Sequence, residues 1–140
     1  MTHRGDDVCW RIRLRSAPDL VFELLATDAG RVRFWVRESS SRGPETRLVF
    51  TDGTSLRCEV LEFDAPRRFA LTYFEGSRVD FELEPNGEGT DLTVREAGAP
   101  ADNVPGWVSV LMNLKAVADF GVDLRHGDPR SGWGEGYVDV

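Results

Sequence analysis

Residues 103–125 read NVPGWVSVLMNLKAVADFGVDLR. Trp107, Leu111, Leu114, Ala118, Gly121 and Val122 recur at helical spacing, and Val110, Val117 and Leu124 widen the stripe. Ser109, Asp119 and Asp123 sit off it. The pattern predicts a helix over 104–125, about 33 Å long at 1.5 Å per residue. Asp102 or Asn103 is placed to cap it, Pro105 suits its first turn, and Gly127 and Pro129 are placed to stop it. Gly121 inside it costs about 1 kcal/mol relative to Ala. It leaves room beside the helix for a ligand, or for close packing on a sheet. Such a helix needs a broad apolar surface to cover, and the upstream sequence predicts one antiparallel sheet.

Val8, Trp10, Ile12 and Leu14 alternate with Cys9, Arg11, Arg13 and Arg15, which predicts a first strand with one apolar face. Ser16-Ala17-Pro18-Asp19 then starts a helix, with Ser16 as its cap and Leu20, Val21, Leu24 and Leu25 as its buried face. Thr27 or Asp28 caps a second short helix that ends near Trp35, with Gly30 weakening its middle. Residues 36–45 read as a short edge strand plus a loop. From there the chain meanders. Strands are expected at Arg47–Thr51 and around Cys58, Leu71, Phe81 and Thr93, with turns at Asp52-Gly53, Asp64–Arg67, Glu75–Ser77 and Pro85–Gly89. The sheet then has one wet and one apolar face.

One domain is expected from 140 residues, with 126–140 as a tail. The formal net charge of −7 argues against nucleic acid or an anionic membrane surface as the partner, since both require a basic footprint. No apolar run approaches the ~20 residues that span a bilayer. The N-terminus has no signal-peptide core, so a cytoplasmic location is expected, with Cys9 and Cys58 reduced. No His pair stands at ligand spacing, no phosphate loop occurs, and no GxSxG elbow occurs. No metal, cofactor or catalytic constellation is therefore expected. Trp133, Tyr137, Val138 and Val140 in the tail predict docking, on a second copy to give a homodimer or over a pocket.

Strand, two short helices, long meander and one long helix is the helix-grip order. Ala17-Pro18 with Val21-Phe22 and Leu24-Leu25 resembles the opening helix of the START-like (SRPBCC) superfamily, and Trp35 falls where many members carry Trp. Asp52-Gly53, Val60–Asp64 with Pro66-Arg67, Phe81–Leu83 and Gly89–Val94 resemble the meander of the Hsp-ninety ATPase activator homologues. Gly106-Trp107 with Leu111, Leu114 and Lys115 resembles their last helix. The resemblance implies an α+β fold in which a curved antiparallel sheet of six to seven strands wraps a long C-terminal helix. It also implies an apolar cavity between the two.

Trp10, Ile12, Leu48, Phe50, Val60, Leu71, Tyr73, Val79, Phe81, Leu92 and Val94 are expected to face inward from the sheet, and Trp107, Leu111, Leu114 and Ala118 from the helix. The ligand-binding candidates are Trp35, Phe50, Tyr73, Phe81, Glu96, Trp107, Leu111 and Leu114. Glu96 shares the parity of Leu92 and Val94, and beside a phenol it would orient a polar ligand group or move a proton. The leading expectation is a binding or carrier protein for a small apolar or aromatic molecule. The alternatives are a polyketide cyclase or aldol-type enzyme in the same cavity, and a chaperone-activator-like interaction module.

Overall fold

The computed structural model describes residues 7–100 and 103–125. Their elements are β1 (Val8–Leu14), α1 (Pro18–Ala26), α2 (Asp28–Phe34), β2 (Glu38–Arg42), β3 (Glu45–Val49), β4 (Ser55–Asp64), β5 (Arg68–Thr72), β6 (Arg78–Asn86), β7 (Gly89–Ala97) and α3 (Asn103–Phe120), with a 3-10 turn over Phe74–Gly76. The strands form one antiparallel sheet in the order β1-β7-β6-β5-β4-β3-β2. With α1 and α2 inserted after β1 and α3 at the end, this is the α+β helix-grip fold. Among the described residues no helix is long and apolar enough to cross a membrane.

Period-two patterning sets the faces. In β6, Val79, Phe81 and Leu83 are buried while their neighbours lean outward, and β7 repeats this with Leu92, Val94 and Glu96. The outer face carries cross-strand ion pairs such as Arg13–Asp91 and Arg95–Glu82, both 3.1 Å. Exposed pairs of this kind contribute little each. A register shift between Val60 and Glu62 lets β4 turn Phe63 back toward α1, where its ring meets Phe22 at 5.2 Å and Phe69 at 6.2 Å.

Several expectations are corrected. The last helix runs over Asn103–Phe120, about 27 Å, and not to Arg125. Gly121 ends it: at φ +68° its N–H reaches the Val117 carbonyl at 3.0 Å, a left-handed cap that excludes most side chains. Val122 is therefore exposed and not part of the buried stripe. Ser109 is fully buried and the Asp119 side chain is covered, although both were expected off that stripe. The expected caps at Asp102 or Asn103, the stop signals Gly127 and Pro129, and the tail with its aromatics lie outside the described side chains. Ser16 does not cap α1, whose N-cap is Ala17; its hydroxyl goes instead to α3. Leu20 is exposed, and Phe22 takes its place in the core. The third strand is Glu45–Val49, two residues earlier than expected.

Thr27 does cap α2, accepting from Gly30 N–H at 2.9 Å. Gly30 has its own reason. A Cβ there would lie 2.2 Å from the Glu23 carbonyl oxygen, so the two helices cross too closely for any side chain.

Candidate functional site

Four elements bring aromatic rings together under α3. Trp35 follows α2, Tyr73 follows β5, Phe81 lies on β6 and Trp107 on α3, and all four are buried. Trp107 meets Tyr73, Trp35 and Phe81 at 5.2, 5.7 and 5.9 Å between centroids, and Trp35 meets Tyr73 and Phe81 at 5.8 and 6.0 Å. These are tilted and edge-on contacts, which ring quadrupoles favour over face-to-face stacking. Leu111 and Leu114 are buried on the same helix as Trp107.

Phe50, just after β3, touches Tyr73 at 6.3 Å and Phe74 at 5.4 Å. The β3–β4 and β5–β6 connections thus meet beside the aromatic group. The second of these holds Glu75 at φ +57°, a left-handed conformation that costs a non-glycine residue about 1 kcal/mol.

Glu96 is fully buried at this site. Trp107 Nε1–H donates to its Oε1 at 2.9 Å, and the Ser77 hydroxyl donates to its Oε2 at 2.5 Å. A buried carboxyl without such partners would be strongly destabilising. Tyr73 is the second polar group. Burial, the largest cause, drives its phenol pKa far above the ordinary value; the Trp35 hydrogen bond opposes this only in part. The phenol is therefore a neutral donor. Its oxygen accepts from Trp35 Nε1–H at 3.3 Å, and its own hydrogen finds no acceptor among the described residues. Two buried hydroxyls, Thr51 Oγ1 and Ser109 Oγ, have no hydrogen-bond partner among the described residues.

Trp35 is set in place through its neighbours. Asn113 Nδ2 donates to the Phe34 carbonyl at 2.7 Å, and Arg125 Nη1 donates to the Val36 carbonyl at 2.9 Å. Asn113 also accepts from Leu124 N–H at 2.7 Å, which folds residues 121–125 back along α3.

All eight sequence candidates are buried, and Trp35, Phe50, Tyr73, Phe81, Glu96 and Trp107 are linked by ring contacts or hydrogen bonds. Sequence reasoning missed Ser77, Thr51, Ser109, Asn113 and Arg125. Ser109 and Asn113 carried one signal, as polar residues four apart within an apolar helix. Ser77 carried none beyond its place in a turn. Among the described residues no group of three or more His, Cys, Asp or Glu is placed to hold a metal ion.

A family model described as Activator of Hsp90 ATPase homolog 1-like protein matches residues 15–119. Among solved structures, SSP2350 from Staphylococcus saprophyticus is similar at a TM-score of 0.74 and 22% identity, covering 85% of this chain and 96% of that chain. The Aha1 dimer from Colwellia psychrerythraea gives 0.75 at 18% identity, covering 84% and 98%. DynU16, from the dynemicin biosynthetic locus, gives 0.70 at 24% identity; the match covers 84% of this chain and 48% of that one. At these identities the likeness is one of fold. Among curated protein sequences none matches.

Proposed function

This chain belongs to the Activator of Hsp90 ATPase homolog 1-like family, and on that footing we propose that it binds a small, largely apolar molecule between the sheet and α3. The observation that carries the reading is Tyr73. A phenol that is 7% exposed keeps its hydrogen without an acceptor among the described residues, in the middle of four aromatic rings. An unmade buried hydrogen bond costs about 1–3 kcal/mol. A ligand with an apolar body and one acceptor oxygen would remove that cost, and the rings would supply the contact area.

The rings touch one another, so the molecule must part them to enter. The last turn of α3 is fastened through Asp119 to Arg15 and Ser16, and its first-turn end carries Trp107, which donates to Glu96 on the sheet. Entry is proposed at that first-turn end, between Phe50 and Phe74, where the strained Glu75 turn lies.

A second reading, an enzyme of the polyketide-cyclase kind, draws on the likeness to DynU16 and to CalU16 from Micromonospora echinospora. In that case Glu96 would move a proton. Dimer formation, as in the Aha1 dimer from Colwellia psychrerythraea, is also proposed.

Native mass spectrometry of the chain purified from its own host tests the binding reading. The expected result is a retained adduct that is lost on denaturation and is absent from Tyr73→Phe. An adduct equally retained by Tyr73→Phe would contradict the role given to the phenol.

A further inference from the structure

A cavity lies away from the aromatic group. It has a volume of about 390 Å³ and is lined by residues that include Ala26, Arg31, Ser41, Thr46, Val60 and Phe63. It sits between the α1–α2 corner and β2, β3 and β4. The Phe69 ring separates it from the first site: Arg31 lies over that ring at 5.9 Å, and Phe69 stacks on Phe81 at 6.0 Å.

Arg31 is the unusual member. Only 2% of it is exposed. Nε donates to Ser39 Oγ at 3.0 Å, Nη1 to the Leu25 carbonyl at 3.0 Å, and Nη2 to Asp28 Oδ1 at 2.8 Å and Ser41 Oγ at 3.3 Å. A guanidinium has five N–H hydrogens. The second Nη1 hydrogen finds no acceptor among the described residues. Bonds to Leu25 of α1, Asp28 of α2 and Ser39 and Ser41 of β2 thus account for the other four, and one donor is left on a residue that lines the cavity.

Charge decides the ligand class. Asp28 already balances Arg31, and hydrogen bonds from Ser39, Ser41 and Arg31 hold its pKa below the usual carboxylate value despite the opposing effect of burial. An anionic ligand would meet that carboxylate with no free positive charge to offset it. A neutral acceptor meets no such repulsion. Ala26, Val60 and the half-exposed Phe63 offer apolar wall for the rest of the molecule.

We propose that this cavity is a second binding site, for a small neutral molecule with an apolar body and one carbonyl-type oxygen that accepts from Arg31. The test is a nitrogen-15 NMR titration of the whole chain with acetophenone, and separately with benzoate. Acetophenone is expected to shift the Arg31 Nε–H signal and the amides of Ala26, Ser41, Thr46 and Val60 saturably. Benzoate is expected to bind there at least tenfold more weakly. Val60→Phe fills the cavity from a half-buried position and leaves the Arg31 hydrogen bonds intact. It should weaken acetophenone at these residues at least tenfold, with Val60→Leu intermediate. Absence of saturable shifts at these residues would overturn the proposal, as would equal binding of benzoate or indifference to Val60→Phe.

Discussion

Asp119 on α3 accepts both the backbone N–H of Ser16, at 3.0 Å, and its hydroxyl, at 2.8 Å. The same carboxylate takes Arg15 N–H and Lys115 Nζ, each at 2.9 Å. One side chain therefore fastens the end of α3 to the corner where β1 gives way to α1. Burial alone would raise the Asp119 pKa, but the hydrogen bonds from Arg15, Lys115 and Ser16 outweigh it and hold the pKa at about 2.

That depression has a definite sign. A carboxylate whose folded pKa lies below its unfolded value stabilises the fold above the unfolded value, near 3.9. The contribution is lost as pH falls through the folded value. Stability is therefore expected to drop between about pH 4 and pH 2. Asp119→Asn should flatten that limb and lower stability at neutral pH by about 1–3 kcal/mol, since unmatched donors remain. Urea unfolding across the pH range checks both.

Gly30 and Gly121 separate two reasons for glycine. At Gly30 a Cβ would strike Glu23 and Leu24 backbone atoms at 2.2 and 2.6 Å, so Gly30→Ala must push α1 from α2. At Gly121 a Cβ would meet open space, and only the positive φ resists it. Gly121→Ala is expected to cost about 1–2 kcal/mol. Gly30→Ala is expected to cost more than that, toward the upper end of the ~1–3 kcal/mol of an overpacked core. Thermal unfolding of the two variants side by side gives the order.

The fold was largely legible because its signals are local. Alternation in Val8–Leu14 and Val79–Leu83, and the apolar stripe from Trp107 to Leu114, report burial directly. The end of α3 was misread because Val122 and Leu124 keep an apolar pattern after Gly121 has already broken the helix. Phe50, Tyr73, Phe81 and Glu96 were found by strand parity, Trp107 by helical spacing and Trp35 by the family resemblance. The residues that hold them were not, because Ser77, Asn113 and Arg125 act through partners far along the chain, as Asn113 does with Phe34. Arg31 was not singled out in its short helix, because its burial depends on the return of β2 with Ser39 and Ser41.

Tyr73 and Glu96 should respond differently to substitution. Tyr73→Phe removes a long hydrogen bond from Trp35 together with an unmet donor, so stability should change by less than about 1 kcal/mol. Affinity for an apolar ligand with an acceptor oxygen should fall about tenfold, or about 1.4 kcal/mol. Glu96→Ala strands Trp107 Nε1–H and the Ser77 hydroxyl, and should cost about 1–3 kcal/mol of stability. Glu96→Gln keeps an acceptor for Trp107; it should modulate affinity in a carrier and abolish turnover in an enzyme. Denaturant titration and ligand titration on the three variants test this.

The two free thiols offer a check on the sheet. Cys9 is exposed, whereas Cys58 is buried and its thiol is pushed up to about 12, chiefly by burial. Thiolate is the reactive form. An aromatic disulfide reagent at pH 8 should therefore titrate Cys9 at once and Cys58 only after denaturant is added. Fast reaction of both thiols would contradict the placement of β4.

The central claim is that a ligand parts the rings of Trp35 and Trp107 and bonds to Tyr73. The most direct measurement follows the indole N–H signals of these two residues by NMR as 2-naphthol is added. Saturable shifts of both, weakened about tenfold in Tyr73→Phe, are the predicted result. Unmoved indole signals at saturating 2-naphthol, or shifts confined to exposed residues, would contradict it.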